Sequence, residues 1–264
     1  MCRVALAEML KAYHKDRQNP PKQGNRHTMR TFALGDVHGN YKALMQVLER
    51  ANFNYEEDTL IGLGDYCDGY PQTKEVIDEL LKIKNLIPIM GNHDEWLREY
   101  FRKGAMPHIW VSQGGQATLE SYDFTFNEAH LNFLDHCRYS YTDEKNRIFC
   151  HGGFPKDTTD ILDVDRHIIT WDRSLVKNAI TKKQYSTDKT RTKYVEAFEE
   201  VWVGHTTTQG WKTFQPIIAF NIYLLDTGAG WDGKLTLMDV DSKEVFQSDF
   251  GWELYGENQG RGTY

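Results

Sequence analysis

Three short apolar runs each end in a glycine-bounded loop carrying acidic or imidazole side chains, and this constrains the chain more than any other feature. "MRTFALG" runs into "GDVHGN" (35–40), "TLIGLGD" into "GDYCDG" (64–69), and "NLIPIMGN" into "GNHDEW" (91–96). Each loop is followed by helical periodicity. "YKALMQVLERA" places Leu44, Val47, Leu48 and Ala51 on one face, and "TKEVIDELLKI" does the same with Val76, Ile77, Leu80 and Leu81. "DEWLREYFRK" supplies a third helical stretch. Strands alternating with helices predict a parallel sheet joined by right-handed crossovers. The loops after the carboxyl ends of such strands gather on one edge, where ligands bind.

Two later runs end the same way: "RIFCHGG" delivers His151 and "VWVGH" delivers His205. Taken singly, each fragment is ordinary. An aspartate after a strand commonly makes a turn, Asn92 or Asp94 can cap a helix, and a lone histidine is usually a core or surface residue. Taken together, oxygen and imidazole donors converging from five strand ends can hold two divalent cations bridged by one carboxylate.

The 264 residues, 40% of them hydrophobic, suffice for one large domain. A formal charge of -7 gives no electrostatic reason to bind nucleic acid or an acidic membrane. The main basic stretch, Lys177 to Lys193, with Lys182, Lys183, Lys189 and Arg191, reads as a solvated segment that can border a cleft. Cys2, Cys67, Cys137 and Cys150 form no C-x-x-C pair, so reduced thiols and a cytoplasmic location are expected. No apolar run reaches membrane-spanning length, and the first residues lack a secretory h-region. Residues 1–29 are expected to be a flexible leader, broken by Pro20, Pro21 and Gly24, with Met29 as an alternative start. The domain is expected over 30–250 and a fraying tail over 251–264.

The series "GDVHG", "GDYCDG", "GNHD", "HGG" and "VGH" resembles the phosphoprotein phosphatase branch of the calcineurin-like metallophosphoesterases, in its bacterial and phage forms, over about residues 30–240. The resemblance implies a four-layer α/β/β/α sandwich with a dinuclear centre at the strand ends. It implies a first metal held by Asp36, His38 and Asp65, and a second held by the bridging Asp65 with Asn92, His151 and His205. The metals are expected to be two divalent transition-metal ions, manganese first, with iron or zinc as alternatives. His93 is implied as proton donor to the leaving group and Asp68 as the residue that orients it and raises its pKa. The implied reaction is phosphomonoester hydrolysis by metal-bridged hydroxide, on phosphoserine or phosphothreonine in proteins or on a small phosphoester.

Two departures from that pattern stand out. The second motif usually continues with a phosphate-binding arginine, where this chain has Gly69. "ITWDRSL" resembles the segment that carries a second such arginine, which makes Arg173 the expected clamp. Asp94 stands where glutamate is common and is read as a feature of the helix start. Two other readings stay open. Symmetrical diadenosine tetraphosphate hydrolases resemble the chain at the metal motifs but tend to lack the aspartate corresponding to Asp68. A non-catalytic scaffold on the same fold would have lost ligands or the donor.

Other signals are set aside. "GAGWDG" (228–233) matches G-x-G-x-x-G but lies between strand-like runs without a helix, so it reads as a hairpin turn. Cys67 and Cys150 adjoin proposed ligands but read as small core residues. The aromatic-rich stretch Trp96 to Trp110 reads as a helical cap over the cleft.

Overall fold

The structure, a computed structural model, describes residues 29–188, 190–257 and 259–261. The leader expectation therefore falls, apart from Met29, outside the described residues. The three repeats fold as read: β1 (Thr31–Leu34), α1 (Tyr41–Arg50), β2 (Thr59–Gly62), α2 (Thr73–Leu80), β3 (Asn85–Pro88) and α3 (Asn92–Lys103) follow one another, with the three strands parallel. A helical excursion follows, comprising α4 (His108–Trp110), a kinked turn (Val111–Gly115) whose backbone leaves the helix at Gln113 and Gly114, α5 (Gln116–Ser121) and α6 (Glu128–His136).

The second half begins with β4 (Ser140–Thr142) and β5 (Arg147–Cys150). Then come α7 (Arg166–Trp171), α8 (Ser174–Tyr185), β6 (Glu200–Val203), β7 (Ile217–Ala219) and β8 (Ile222–Leu224). The chain returns through β9 (Thr236–Asp239) and β10 (Val245–Gln247) before α9 (Gly251–Tyr255). The first sheet has the order β10-β9-β1-β2-β3, and the second β4-β5-β6-β8-β7. In the second, β5, β6 and β8 are parallel and β4 and β7 pair antiparallel at the edges. In the first, β9 runs antiparallel to β1, so its partners come from both ends of the chain.

Alternation along the strands makes the layers. Phe32 and Leu34 of β1 pack with Leu44, Val47, Val76 and Ile77 of the helices, whereas Ala33 between them points the other way. It joins Ile61, Phe149, Trp202 and Met238 in a core shared by the two sheets. On the far side, Ile148, Val201 and Ile222 meet Leu175, Val176 and Ala179 of α8. Helix, sheet, sheet and helix therefore stack as four layers, as the resemblance implies.

Residues after 250 pack more than their composition suggests. The Tyr255 ring lies 4.8 Å from that of Tyr70, its hydroxyl donates to Gln72 Oε1 at 2.7 Å, and Lys42 Nζ donates to the Leu254 carbonyl. Low hydrophobicity hid this segment because tyrosine stacking and polar contacts, rather than an apolar stripe, hold it.

At the edge opposite the strands' carboxyl ends, buried Asp58 ties β1 to β2. Its carboxylate accepts from Arg30 Nη2 at 2.7 Å and from the backbone N–H groups of Arg30 and Asn54. Burial alone would push the Asp58 carboxyl up, but these hydrogen bonds hold it below the usual carboxylate range. A lowered folded pKa adds stability above the unfolded pKa that is lost as pH falls through the folded value. Asp58→Ala should cost about 2 to 3 kcal/mol in urea unfolding at pH 7, the scale for hydrogen bonds to a charged group. The difference from wild type should shrink on acidification below the carboxylate range. An equal deficit at both pH values would exclude a charge-dependent role.

Candidate metal centre

Parallel strands of both sheets deliver polar side chains at their carboxyl ends. β1 leads to Asp36 and His38, β2 to Asp65 and Asp68, β3 to Asn92 and His93, β5 to His151, and β6 to His205. All eight are buried. The loops reach these positions by turning sharply: His38, Asp65, Asp68 and His205 have φ of 52°, 53°, 72° and 63°. Left-handed backbone at non-glycine residues is costly and collects at functional sites. Gly91 meets a separate demand, since a Cβ there would lie 2.1 Å from Asp65 Oδ1.

Asp65 is the hub. Its Oδ2 lies 3.3 Å from His151 Nε2 and 3.6 Å from His38 Nε2, and its Oδ1 accepts the His93 N–H at the start of α3. Two groups with ligand atoms close enough for a metal ion share it: His38, Asp65 and His93, and Asp65, His151 and His205. Asn92 Oδ1 joins the second at 3.1 Å from His151 Nε2. Asp36 belongs to neither group by this distance. Its Oδ2 accepts the His205 N–H at 3.0 Å, and its Oδ1 is buried without a partner among the described residues.

Backbone carbonyls set the imidazole tautomers. A carbonyl only accepts, so His151 Nδ1–H donates to Leu63 at 2.7 Å, and Nε2 is left turned to Asp65, where it can carry a proton or, on losing it, bind a cation. His38 Nδ1 lies 3.0 Å from the carbonyls of both Cys67 and Asp68, which also presents Nε2. His205 is reversed: Nε2 faces the Trp171 carbonyl at 3.2 Å, leaving Nδ1. Such outer partners are those expected of metal-binding histidines.

Electrostatically the cluster carries more buried negative charge than it neutralises. Burial, then Asp226, raises the Asp36 carboxyl well above its usual range. Burial works against the His151 imidazolium, yet Asp65 and Asp36 raise it to about 10. Asp65 stays low despite burial, because His151 and His93 favour its charged form. A carboxylate oxygen without a donor, beside imidazoles presenting lone pairs, is a donor set suited to divalent cations.

Next to the hub, His93 Nδ1 lies 2.6 Å from Asp68 Oδ2. The same carboxylate accepts from Trp110 Nε1 at 2.7 Å and Thr118 Oγ1 at 2.8 Å. The expectation that Asp68 raises the His93 pKa needs correction. Burial raises Asp68 to about 8 and lowers His93 to about 3. Trp110 is thus part of the site's support rather than only a cap.

A cleft of about 350 Å³ opens over the cluster, lined by His38, Asp65, His93, Arg173, Lys177, His205, Asp226, Trp231 and Arg261, among others. Arg173 lies at its rim, exposed, at the start of α8. Sequence reasoning missed four contributors. Asp226 follows β8 in "LLDTG", the same signal as the other strand ends. Trp231 sits in the "GAGWDG" turn, which does join β8 to β9 as read. Arg261 comes from the segment expected to fray. Asp94 does more than start α3: it accepts from the N–H groups of Gly91, Asp65 and Tyr66 at 2.9, 2.7 and 2.8 Å, clamping the second motif to the third.

Comparison with known proteins adds an independent line. The calcineurin-like phosphoesterase family matches residues 29–225. Serine/threonine-protein phosphatase 1 of Salmonella typhimurium is 24% identical over 220 residues, 79% of this chain and 91% of that protein. Serine/threonine-protein phosphatase 2 of the same organism is 26% identical over 215 residues, 79% of this chain and 92% of that protein. A symmetrical bis(5'-nucleosyl)-tetraphosphatase of Coxiella burnetii is 29% identical over 126 residues, 47% of this chain and 42% of that protein. Among solved structures, one described as a putative diadenosine tetraphosphatase superposes with a TM-score of 0.60 at 16% identity, covering 86% of this chain and 96% of that one.

Because one carboxylate is common to both groups, Asp65→Asn should impair both at once. Elemental analysis after reconstitution with manganese and desalting should give two ions per wild-type chain and fewer than one for the variant. Metal should also raise the wild-type melting temperature, since saturation at about 100 times the dissociation constant adds about 2.7 kcal/mol. Retention of two ions by Asp65→Asn would rule out a shared ligand.

Proposed function

The chain belongs to the calcineurin-like phosphoesterase family, and from that premise we propose that it is a metal-dependent phosphomonoesterase acting on phosphoserine and phosphothreonine in proteins. The observation that carries the reading is the Asp68–His93 pair, held at 2.6 Å beside the metal-type cluster and facing the same cleft. In this reading Asp36, His38 and Asp65 hold one divalent cation, and Asp65, Asn92, His151 and His205 hold the other. The unpartnered Asp36 Oδ1 supports assigning Asp36, rather than His93, to the first ion. The mixed oxygen and nitrogen donors suit manganese, with iron or zinc as alternatives.

When bound, two such cations supply Lewis acidity towards phosphate oxygens and acidify water near neutral pH. The chain's own residues do the rest. Asp68, fixed by Trp110 and Thr118, occupies His93 Nδ1 and leaves Nε2 to face the cleft. A proton delivered from Nε2 to the departing serine or threonine oxygen avoids expelling an alkoxide. Arg173 offers a planar guanidinium at the rim for the non-bridging oxygens. The three described cysteines are free and buried, which suits a reducing compartment and supports a cytoplasmic location. Among the described residues no helix is long and apolar enough to cross a membrane.

Symmetrical cleavage of diadenosine tetraphosphate is the second reading. It rests on sequence relatives of that name, which match about half of this chain, beside a likeness in fold, at 16% identity, to a structure so described that covers 86% of it. The phosphatase relatives span 79% of it, which favours the first reading.

His93→Asn should lower kcat by roughly two to four orders of magnitude on a phosphoserine peptide, the range for losing a general acid. The loss should be smaller on p-nitrophenyl phosphate, whose leaving group scarcely needs a proton, and metal content should hold. Equal losses on both substrates, or a tetraphosphate turned over faster than any phosphopeptide, would count against the proposal.

A further inference from the structure

The cleft receives a side chain from an unexpected direction. Beyond α9 the chain turns back, and the Arg261 N–H donates to the Gly230 carbonyl at 2.9 Å. From there the Arg261 side chain enters the cleft. Its guanidinium lies 4.4 Å from the centre of the Trp231 ring, and Nη2 donates to Gln113 Oε1 at 3.1 Å. Its Nε is buried with no partner among the described residues.

The path of its stem explains a glycine noted in the sequence. The Gly69 N–H donates to the Gly114 carbonyl at 3.2 Å, so two backbone segments meet edge to edge. A Cβ on Gly69 or on Gly114 would come within 3.0 or 3.2 Å of Arg261 Cγ. Both glycines also have left-handed φ, 111° and 105°. A side chain at position 69 would therefore claim the space that Arg261 fills.

We infer that Arg261 supplies, from the segment after α9, the phosphate-gripping guanidinium that position 69 lacks. The inference rests on the phosphomonoesterase reading of the cleft. Arg261 and Arg173 both line the cleft that His38, His93 and His205 also line. The charge balance points to an anion. The guanidinium lies within the electrostatic reach of Asp65, Asp68, Asp226 and Asp36, whose charge divalent cations would largely neutralise. The guanidinium would then keep one neutral partner, Gln113, and an aromatic face, in a side chain that lines the cleft. A phosphate dianion answers that geometry through bidentate, charge-assisted hydrogen bonds.

The test uses the metal-loaded full chain with Arg261→Met, which keeps the stem over Gly69 and Trp231 while removing the charge, and Arg261→Lys, which keeps the charge without the fork. Binding of inorganic phosphate is read by calorimetry and by Trp231-dependent fluorescence, alongside metal content and melting temperature. Arg261→Met should weaken phosphate binding by about 10- to 100-fold, the range for hydrogen bonds to a charged group. Arg261→Lys should recover part of the loss, with two metals retained in both variants.

An unchanged phosphate affinity in Arg261→Met, especially with tighter metal binding, would overturn the inference and make Arg261 a counter-ion to the carboxylates. A wild-type protein that binds phosphate through Arg261 but turns over no phosphopeptide would uphold this inference while refuting the proposed substrate. A metal-loaded wild type that binds no phosphate would overturn both.

Discussion

Four carboxylates, those of Asp36, Asp65, Asp68 and Asp226, lie desolvated at one edge of the two sheets, and most of the surrounding structure answers that fact. Burying such charges without compensation is too costly to persist. The fold meets the cost partly with what it has. The first turn of α3 donates the His93 N–H to Asp65, Trp110 and Thr118 donate to Asp68, and the His205 N–H donates to Asp36. Among the described residues an oxygen of Asp36 still goes without a donor, and His151 is drawn towards its protonated form. Both are responses to charge that the polypeptide does not balance by itself, and divalent cations at the cluster would meet both.

The architecture exists to hold that cluster still. Parallel strands from two sheets bring their carboxyl ends to one edge, and the shared core of Ala33, Ile61, Phe149 and Trp202 fixes the distance between the sheets. Asp94 then locks the second loop onto the third through three backbone N–H groups. Such anchoring lets His38, Asp65, Asp68 and His205 keep a left-handed backbone that their side chains do not favour. Rigidity at the ligands and catalytic preorganisation are here one property.

Much of this was legible in the sequence, for identifiable reasons. The β-loop-α repeats follow from apolar periodicity, and the strand-end residues Asp36, His38, Asp65, Asn92, His93, His151 and His205 from donors placed after apolar runs. The second sheet and the four layers came from resemblance, since β4, β7 and β10 are three-residue edge strands with little pattern to read. Arg261 was invisible because it acts through a long-range return of the chain, and nothing local marks Arg261 as part of a cleft. Gly69 gave half the signal, an absence where a cation was expected. Only the three-dimensional arrangement joined that absence to Arg261. The kinked turn that presents Gln113 likewise depends on tertiary packing rather than on propensity.

The central claim is that the Asp65-centred cluster is a two-cation site in which His93 is left free for proton transfer. Anomalous diffraction at the manganese edge, from crystals of the metal-loaded protein, tests it most directly. The account predicts two peaks per chain flanking the Asp65 carboxylate, one beside Asp36 and His38 and the other beside Asn92, His151 and His205, with His93 Nε2 coordinating neither. A single peak, or a peak ligated by His93 in place of Asp36, would contradict it.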